Sequence, residues 1–113
     1  MAYASKHLRK VLDFGGTVGG AMYVYDTADA VATVYAAGYI TDAGSKGLRK
    51  GDLVLHRCWT TAVPAADSEV KTAAGSANIF LGMTWMVVMG LTASGNEYTA
   101  DLSDGTAVSV TNT

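Results

Sequence analysis

His56 and Cys58 stand two residues apart in the segment LVLHRCWT, so on a strand both side chains point to one face. An imidazole and a thiol at that spacing can begin a metal-ligand pair or an activated thiolate. His7 is the only other histidine and Cys58 the only cysteine, so a structural zinc site would need carboxylates or another subunit for its remaining ligands. No third group is placed to orient the imidazole toward nucleophilic work, and neither a G-x-S-x-G elbow nor a Cys-His family signature is present. The pair reads as part of a strand core. The expectation is no enzyme, no metal and no cofactor. The lone Cys58 forbids an internal disulfide and leaves an interchain one open.

Gly15 to Gly20, GGTVGG, superficially resembles a phosphate-cradling loop. It lacks the G-K-[ST] ending and the strand-before, helix-after setting that such loops need, so a hinge is the better reading. Asp101 and Asp104 lie beside turn residues, where solvation and turn bonding account for them. Lys46, Arg49 and Lys50 form a small basic cluster around Gly47 that can meet an acidic partner surface or simply be a solvated turn. Six tyrosines and two tryptophans are many large amphipathic groups for a small domain, and they suit an interface or a sugar-binding face.

The net charge of −2 provides no whole-molecule basic field to attract nucleic acid. The distribution says more than the sum. Every Lys and Arg lies between Lys6 and Lys71, whereas residues 72–113 carry only Glu97, Asp101 and Asp104. That polarity can guide head-to-tail or subunit-to-lattice contacts, though salt would screen it. Charged residues make up only 16% of the chain, below the usual quarter, which points to surface covered by partners or to a compact β domain with a Ser/Thr/Gly surface. A chain of 113 residues fits one domain with a small core, so burial between copies would add stability. The opening MAYASKHLRKVLDF has no apolar run before a small-residue cleavage site, and the expectation is assembly in the cytoplasm.

The elements that must position these residues follow from periodicity. Residues 1–20 read as an N-terminal arm with a Gly-rich hinge, Leu8, Val11 and Leu12 forming one short helical stripe, or equally as an ordinary terminal strand or frayed tail. Ala21 to Asp26 alternates as a strand. Ala28 to Ala37 reads as a helix of about ten residues, with Asp26, Thr27 or Asp29 as a cap and Gly38 as its C′ residue. Tyr39 to Val54 supplies two turns, the first through Thr41-Asp42 side-chain bonds, and Leu53 begins a buried strand. Thr61 to Ala77 reads as a surface excursion. Ile79 to Leu91 is the most apolar run; at helical rise it reaches about 20 Å against a bilayer core of about 30 Å, and its Val-Val pair and glycines favour a central strand. Ser94-Gly95-Asn96 and Ser103-Asp104-Gly105 each read as a turn, which gives a three-strand antiparallel meander to the end of the chain.

Asp26 to Val34, Ala36 to Asp42 and Gly47 to Val54 together carry a resemblance. The lines DTADAVATV, AAGYITD and GLRKGDLV resemble a pattern recurring in small virion structural proteins of tailed bacteriophages, among them head-decoration, cement and fibre components. Its matching positions are turns and core residues, with no catalytic group among them. The resemblance implies a structural subunit that binds the outer capsid, bridges neighbouring copies of the major capsid protein and stabilises the shell.

The expected fold is mainly β with one short helix: a small antiparallel β-sandwich or barrel over residues 21–113, with an extended N-terminal arm. The expected partners are the major capsid protein and further copies of this chain, as a dimer or trimer, with no nucleic acid and no membrane. The expected location is the virion. Tyr3, His7, Leu8, Arg9 and Lys10 of the arm, with Lys46, Arg49 and Lys50, are the expected contact residues. The alternatives are a fibre, spike or tail component binding host glycan, and a small lysis-type membrane protein.

Overall fold

A computed structural model describes residues 3–14, 20–61, 63–65 and 80–109. A 3-10 turn, Ser5–His7, leads into β1 (Leu8–Asp13), followed by β2 (Ala21–Thr27), the helical turns α1 (Val31–Val34) and α2 (Ala43–Lys46), then β3 (Leu53–Trp59), β4 (Phe80–Ser94), β5 (Glu97–Leu102) and β6 (Thr106–Val108). The fold is mainly β. The strands form one six-stranded sheet in the order β1-β2-β3-β4-β5, with β6 also on β4, and it does not close into a barrel.

The sheet is mixed rather than wholly antiparallel, because β2 and β3 run parallel, Tyr23 beside Val54 and Tyr25 beside His56. A parallel pair needs a long crossover, and residues 28–52 supply it. This segment explains the sheet's asymmetry. Strand alternation puts Leu8, Tyr23, Tyr25, Val54, His56 and Met86 on one face. There Val34, Ile40, Ala43 and Leu48 of the crossover join Leu8, both tyrosines, Val54 and Met86 in one buried cluster. The opposite face carries Met22, Val24 and Asp26 of β2, Leu53, Leu55, Arg57 and Trp59 of β3, and Met83, Trp85 and Val87 of β4.

The crossover is less helical than its alanine content predicts. Only Val31–Val34 forms an α-turn, with Ala30 as N-cap and no side-chain cap, while a second short helix follows at Ala43–Lys46. Isolated turns of this length gain little from propensity and are held by packing, here through buried Val34 and Ala43. Gly38 and Gly47 both adopt left-handed backbone, as their positions after apolar turns require. The Asp42 carboxylate does not turn its own chain; it accepts hydrogen bonds from the Tyr3 and Ser5 hydroxyls.

Two further expectations change. Of the residues expected as an arm, Leu8–Asp13 is a strand of the sheet: Leu8 is buried against Tyr25 and β1 pairs antiparallel with β2, while Ser5–His7 forms the 3-10 turn before it. The Phe14 amide donates to the Gly20 carbonyl at 2.7 Å, just beyond the paired ends of β1 and β2. Residues 15–19 of the expected hinge, Gly15 to Gly20, lie outside the described residues, as does most of the excursion at 61–77. The apolar run is strand β4, and among the described residues no helix is long and apolar enough to cross a membrane.

The turn at Ser103-Asp104-Gly105 does not reverse the chain. Leu102 lies opposite Val88, and Thr106 and Val108 lie opposite Trp85 and Met83, so β6 continues β5 along the same edge of β4. Across the interruption the Ser103 amide donates to the Val87 carbonyl and Ser103 Oγ accepts from the Val87 amide, both at 2.9 Å. Gly105 sits at φ 85°, and a Cβ there would lie 2.7 Å from the Trp85 carbonyl oxygen and 2.6 Å from Thr84 Cγ2. Gly105→Ala should cost about 3 kcal/mol from backbone strain plus crowding. Gly95→Ala, at φ 62° but in open space, is expected to cost only about 1 kcal/mol. Urea denaturation of the two variants checks the contrast, and equal losses would mean that close approach to β4 is not what Gly105 provides.

Candidate functional site

The eight expected contact residues divide into core and edge. Tyr3 packs half-buried against the core: its hydroxyl donates to Asp42 at 2.5 Å and its ring lies 5.6 Å from both Tyr25 and Tyr39. Burial, and then the hydrogen bond to Asp42, push the Tyr3 hydroxyl well above the usual tyrosine range. Tyr39 donates to Asp29 at 2.6 Å and shares a 2.7 Å hydrogen bond with Tyr25. The aromatic surplus therefore mostly serves the interior. Leu8 is core, and His7 is half-buried, its pKa lowered first by burial and then by Lys6.

The remaining contacts stay outside. Arg9, Lys10, Arg49 and Lys50 are exposed. Lys10 Nζ lies 5.9 Å from the centre of the Tyr23 ring, the Tyr23 hydroxyl donates to the Lys46 carbonyl, and Lys46 Nζ donates to the Leu8 carbonyl. These distances draw Lys10 and Lys46, far apart in sequence, to the β1 edge of the sheet. Glu97 and Asp101 belong to β5 at the other end of the strand order.

His56 and Cys58 do share a face, and they border a 290 Å³ pocket with Ala30, Val31, Met83 and Thr84. Both turn to the same acceptor: His56 Nε2 lies 3.0 Å and Cys58 Sγ 3.5 Å from the Asp29 carbonyl oxygen. A carbonyl oxygen only accepts, so Nε2 carries a proton. Burial lowers the His56 pKa, and burial, then Asp29, raises that of the Cys58 thiol. A thiol so raised is a weak nucleophile. Among the described residues no group of three or more His, Cys, Asp or Glu converges as a metal site.

A larger groove of 570 Å³ opens between α2, the loop at Arg49 and the β4–β5 hairpin. Gly44, Ser45, Arg49, Leu91, Asn96, Glu97 and Tyr98 line it. The Glu97 carboxylate accepts from the Ser45 amide and hydroxyl and from the Tyr98 amide, which ties hairpin to helix. The Ser45 hydroxyl contact, foremost, and then the Tyr98 amide hold the Glu97 pKa below the usual carboxylate range. Sequence reading missed this groove, because its residues come from three segments with no shared spacing.

Compared with protein-family models, curated proteins and solved structures, the chain matches none. Its function is read from its own residues.

Buried carboxylates are the other feature the sequence did not announce. Asp52 accepts from the amides of Gly20, Ala21 and Arg49 at 3.0, 3.1 and 2.9 Å. Asp26 is ion-paired with Arg9 and Arg57 and accepts from Trp59 Nε1 at 3.1 Å. A carboxylate beside a glycine or inside an alternating strand gives no sign of such partners until the chain is folded.

Proposed function

We propose that this protein is a structural subunit of a phage virion, a head-decoration or cement protein that binds the outer capsid and bridges neighbouring capsid subunits. The resemblance of Asp26–Val34, Ala36–Asp42 and Gly47–Val54 to small virion proteins supports the setting. One structural observation supports the mechanism: apolar side chains stand exposed on the sheet face opposite the crossover. Leu12 and Val87 are 51% and 40% exposed at the outer positions of one cross-strand row, with Met22 and Leu53 between them. Phe80 and Val108 are exposed farther along the same face. Exposed apolar side chains clustered in this way mark association surfaces, and covering them gains free energy from water release. The basic β1 edge adds complementarity to an acidic lattice, and many copies make weak single contacts effective.

Copy number in purified particles tests this. The wild-type chain should be present in hundreds of copies, and Leu12→Lys with Val87→Lys should lower occupancy about tenfold, since a charge buried in an apolar contact costs more than one factor of ten. Both positions face solvent, so the variant should keep its fold. A handful of wild-type copies would move the protein to a fibre or tail, and none at all would remove it from the virion. Full occupancy by the double variant would rule out this face. Truncation of residues 1–14 is a poorer test, because it strips β1 from the sheet and leaves β2 as a raw edge.

A further inference from the structure

Of the tyrosines in the described residues, Tyr98 alone is strongly exposed, at 47%, whereas Tyr23 and Tyr25 are fully buried. Its ring stands in the 570 Å³ groove with Arg49, Asn96, Glu97 and Leu91. We propose that this groove is a saccharide-binding site that seats one or two pyranose rings against the face of Tyr98. The proposal does not depend on capsid decoration, and either can fail alone.

The chemistry of the lining selects the ligand class. The volume is that of an ordinary small-molecule site. Tyr98 offers a flat apolar face and a hydroxyl, the combination that meets the C–H side of a sugar ring while staying in water. Arg49 offers the guanidinium donors left after Nη1 donates to the Leu48 carbonyl at 2.7 Å, Asn96 a donor and an acceptor on one planar group, and Glu97 a carboxylate. Planar groups of this kind match adjacent hydroxyls on a ring, each of which donates and accepts. An anion would meet the Glu97 carboxylate, and a cation would meet the Arg49 guanidinium. A purely apolar ligand would cover Arg49 and Asn96 without giving them partners, at a cost. A neutral polyhydroxylated ring with one apolar face satisfies all four groups.

The site is also held in shape before any ligand arrives. Glu97 is fixed by the Ser45 amide and hydroxyl and by the Tyr98 amide. Asn96 lies in the two-residue Gly95–Asn96 turn that closes the β4–β5 hairpin, where Ser94 faces Glu97. Arg49 is anchored through its backbone, its amide donating to buried Asp52. Groups already in place lose little freedom on binding. A glycan of a cell or particle surface carries such rings in many copies, so weak affinity per site is enough when the protein is itself multivalent.

The test is an amide NMR titration of the full chain with methyl glycosides of glucose, galactose, mannose and N-acetylglucosamine, and with lactose and maltose. The expected result is saturable shifting at Ser45, Asn96, Glu97 and Tyr98 by at least one of these, with millimolar affinity. Tyr98→Ala should weaken that binding about tenfold, whereas Tyr98→Phe should keep it, because stacking needs the ring and not the hydroxyl. Arg49→Ala, at an exposed side chain, should also weaken it, and it provides the comparison if Tyr98→Ala does not fold. No saturable shift with any of the six sugars would overturn the proposal, as would wild-type affinity in both Tyr98→Ala and Arg49→Ala, or saturable shifts confined to residues outside the groove.

Discussion

Replacing Asp52 with alanine is expected to lower the stability of this protein by about 4 kcal/mol, a large part of what a domain of this size holds. The side chain is 1% exposed and stands where the crossover enters β3. One carboxylate oxygen takes the amides of Gly20 and Ala21, at the start of β2, and the other takes the amide of Arg49. The backbone of the same turn reaches β4: the Val88 amide donates to the Asp52 carbonyl at 2.8 Å, and the Gly51 amide donates to Val88 at 2.9 Å. Alanine would leave the Gly20, Ala21 and Arg49 amides without their acceptor. Hydrogen bonds to a charged acceptor contribute roughly 1.5–3 kcal/mol each, and the three are not additive because they share one group. Asp52→Asn keeps one oxygen but turns an amide hydrogen toward one of the donors, so its loss should be about 2 kcal/mol. Urea denaturation gives both values. A loss below that of an ordinary surface substitution in the alanine variant would mean that water replaces the carboxylate at the junction.

Asp26→Ala is the second large effect, expected at about 3 kcal/mol. Its carboxylate is 5% exposed on the sheet face opposite the crossover, with Arg57 Nε at 2.8 Å and the Trp59 indole N–H at 3.1 Å on one oxygen and Arg9 on the other. Removing the anion leaves the Arg57 charge, 36% exposed, beside an apolar face and strips the buried indole of its acceptor. The Arg9 pair is different in kind. Its guanidinium is 56% exposed, so Arg9→Ala should cost under about 1 kcal/mol. The ordering of the two variants is the test: comparable losses would mean that the carboxylate draws its stabilisation from the solvated pair. Arg57 also stacks over Trp59 at 5.5 Å, and Phe80 packs on the same ring at 5.2 Å, so Asp26→Ala should loosen the end of the apolar face. In particles it should also reduce occupancy if that face is the docking surface.

These two carboxylates show where sequence reading stops. The alternation of Ala21–Asp26 and Leu53–Thr60 identified both strands, and the faces of the second divide as the pattern implies, with Val54 and His56 inward and Leu53, Arg57 and Trp59 opposite. The tight turn before Glu97 and the left-handed glycines after the helical turns were legible for the same local reason: only certain residues adopt those backbone angles. Neither the direction of β2 relative to β3 nor the path of β6 had a local signature. A parallel pair and an antiparallel one use the same alternating residues, and Ser103-Asp104-Gly105 can reverse a chain or let it bulge and continue. What decides is the partner strand, here β4, which Gly105 approaches at a distance that no Cβ allows. The aromatic residues misled for a related reason. Tyrosine suits a surface or an interior equally well, and Tyr3, Tyr25 and Tyr39 became interior because Asp42, Asp29 and one another satisfy their hydroxyls.

By itself, then, the sequence determined a mainly β domain, its strand segments from β2 onward, the faces of β3, its glycine turns and a basic-to-acidic polarity along the chain, all properties of near neighbours and of composition. Tertiary structure alone decided the mixed topology, the incorporation of Leu8–Asp13 into the sheet, the duties of Asp26 and Asp52, and the groove beneath Tyr98. Each of those joins residues tens of positions apart, and no periodicity records a contact made only when the crossover folds onto the sheet.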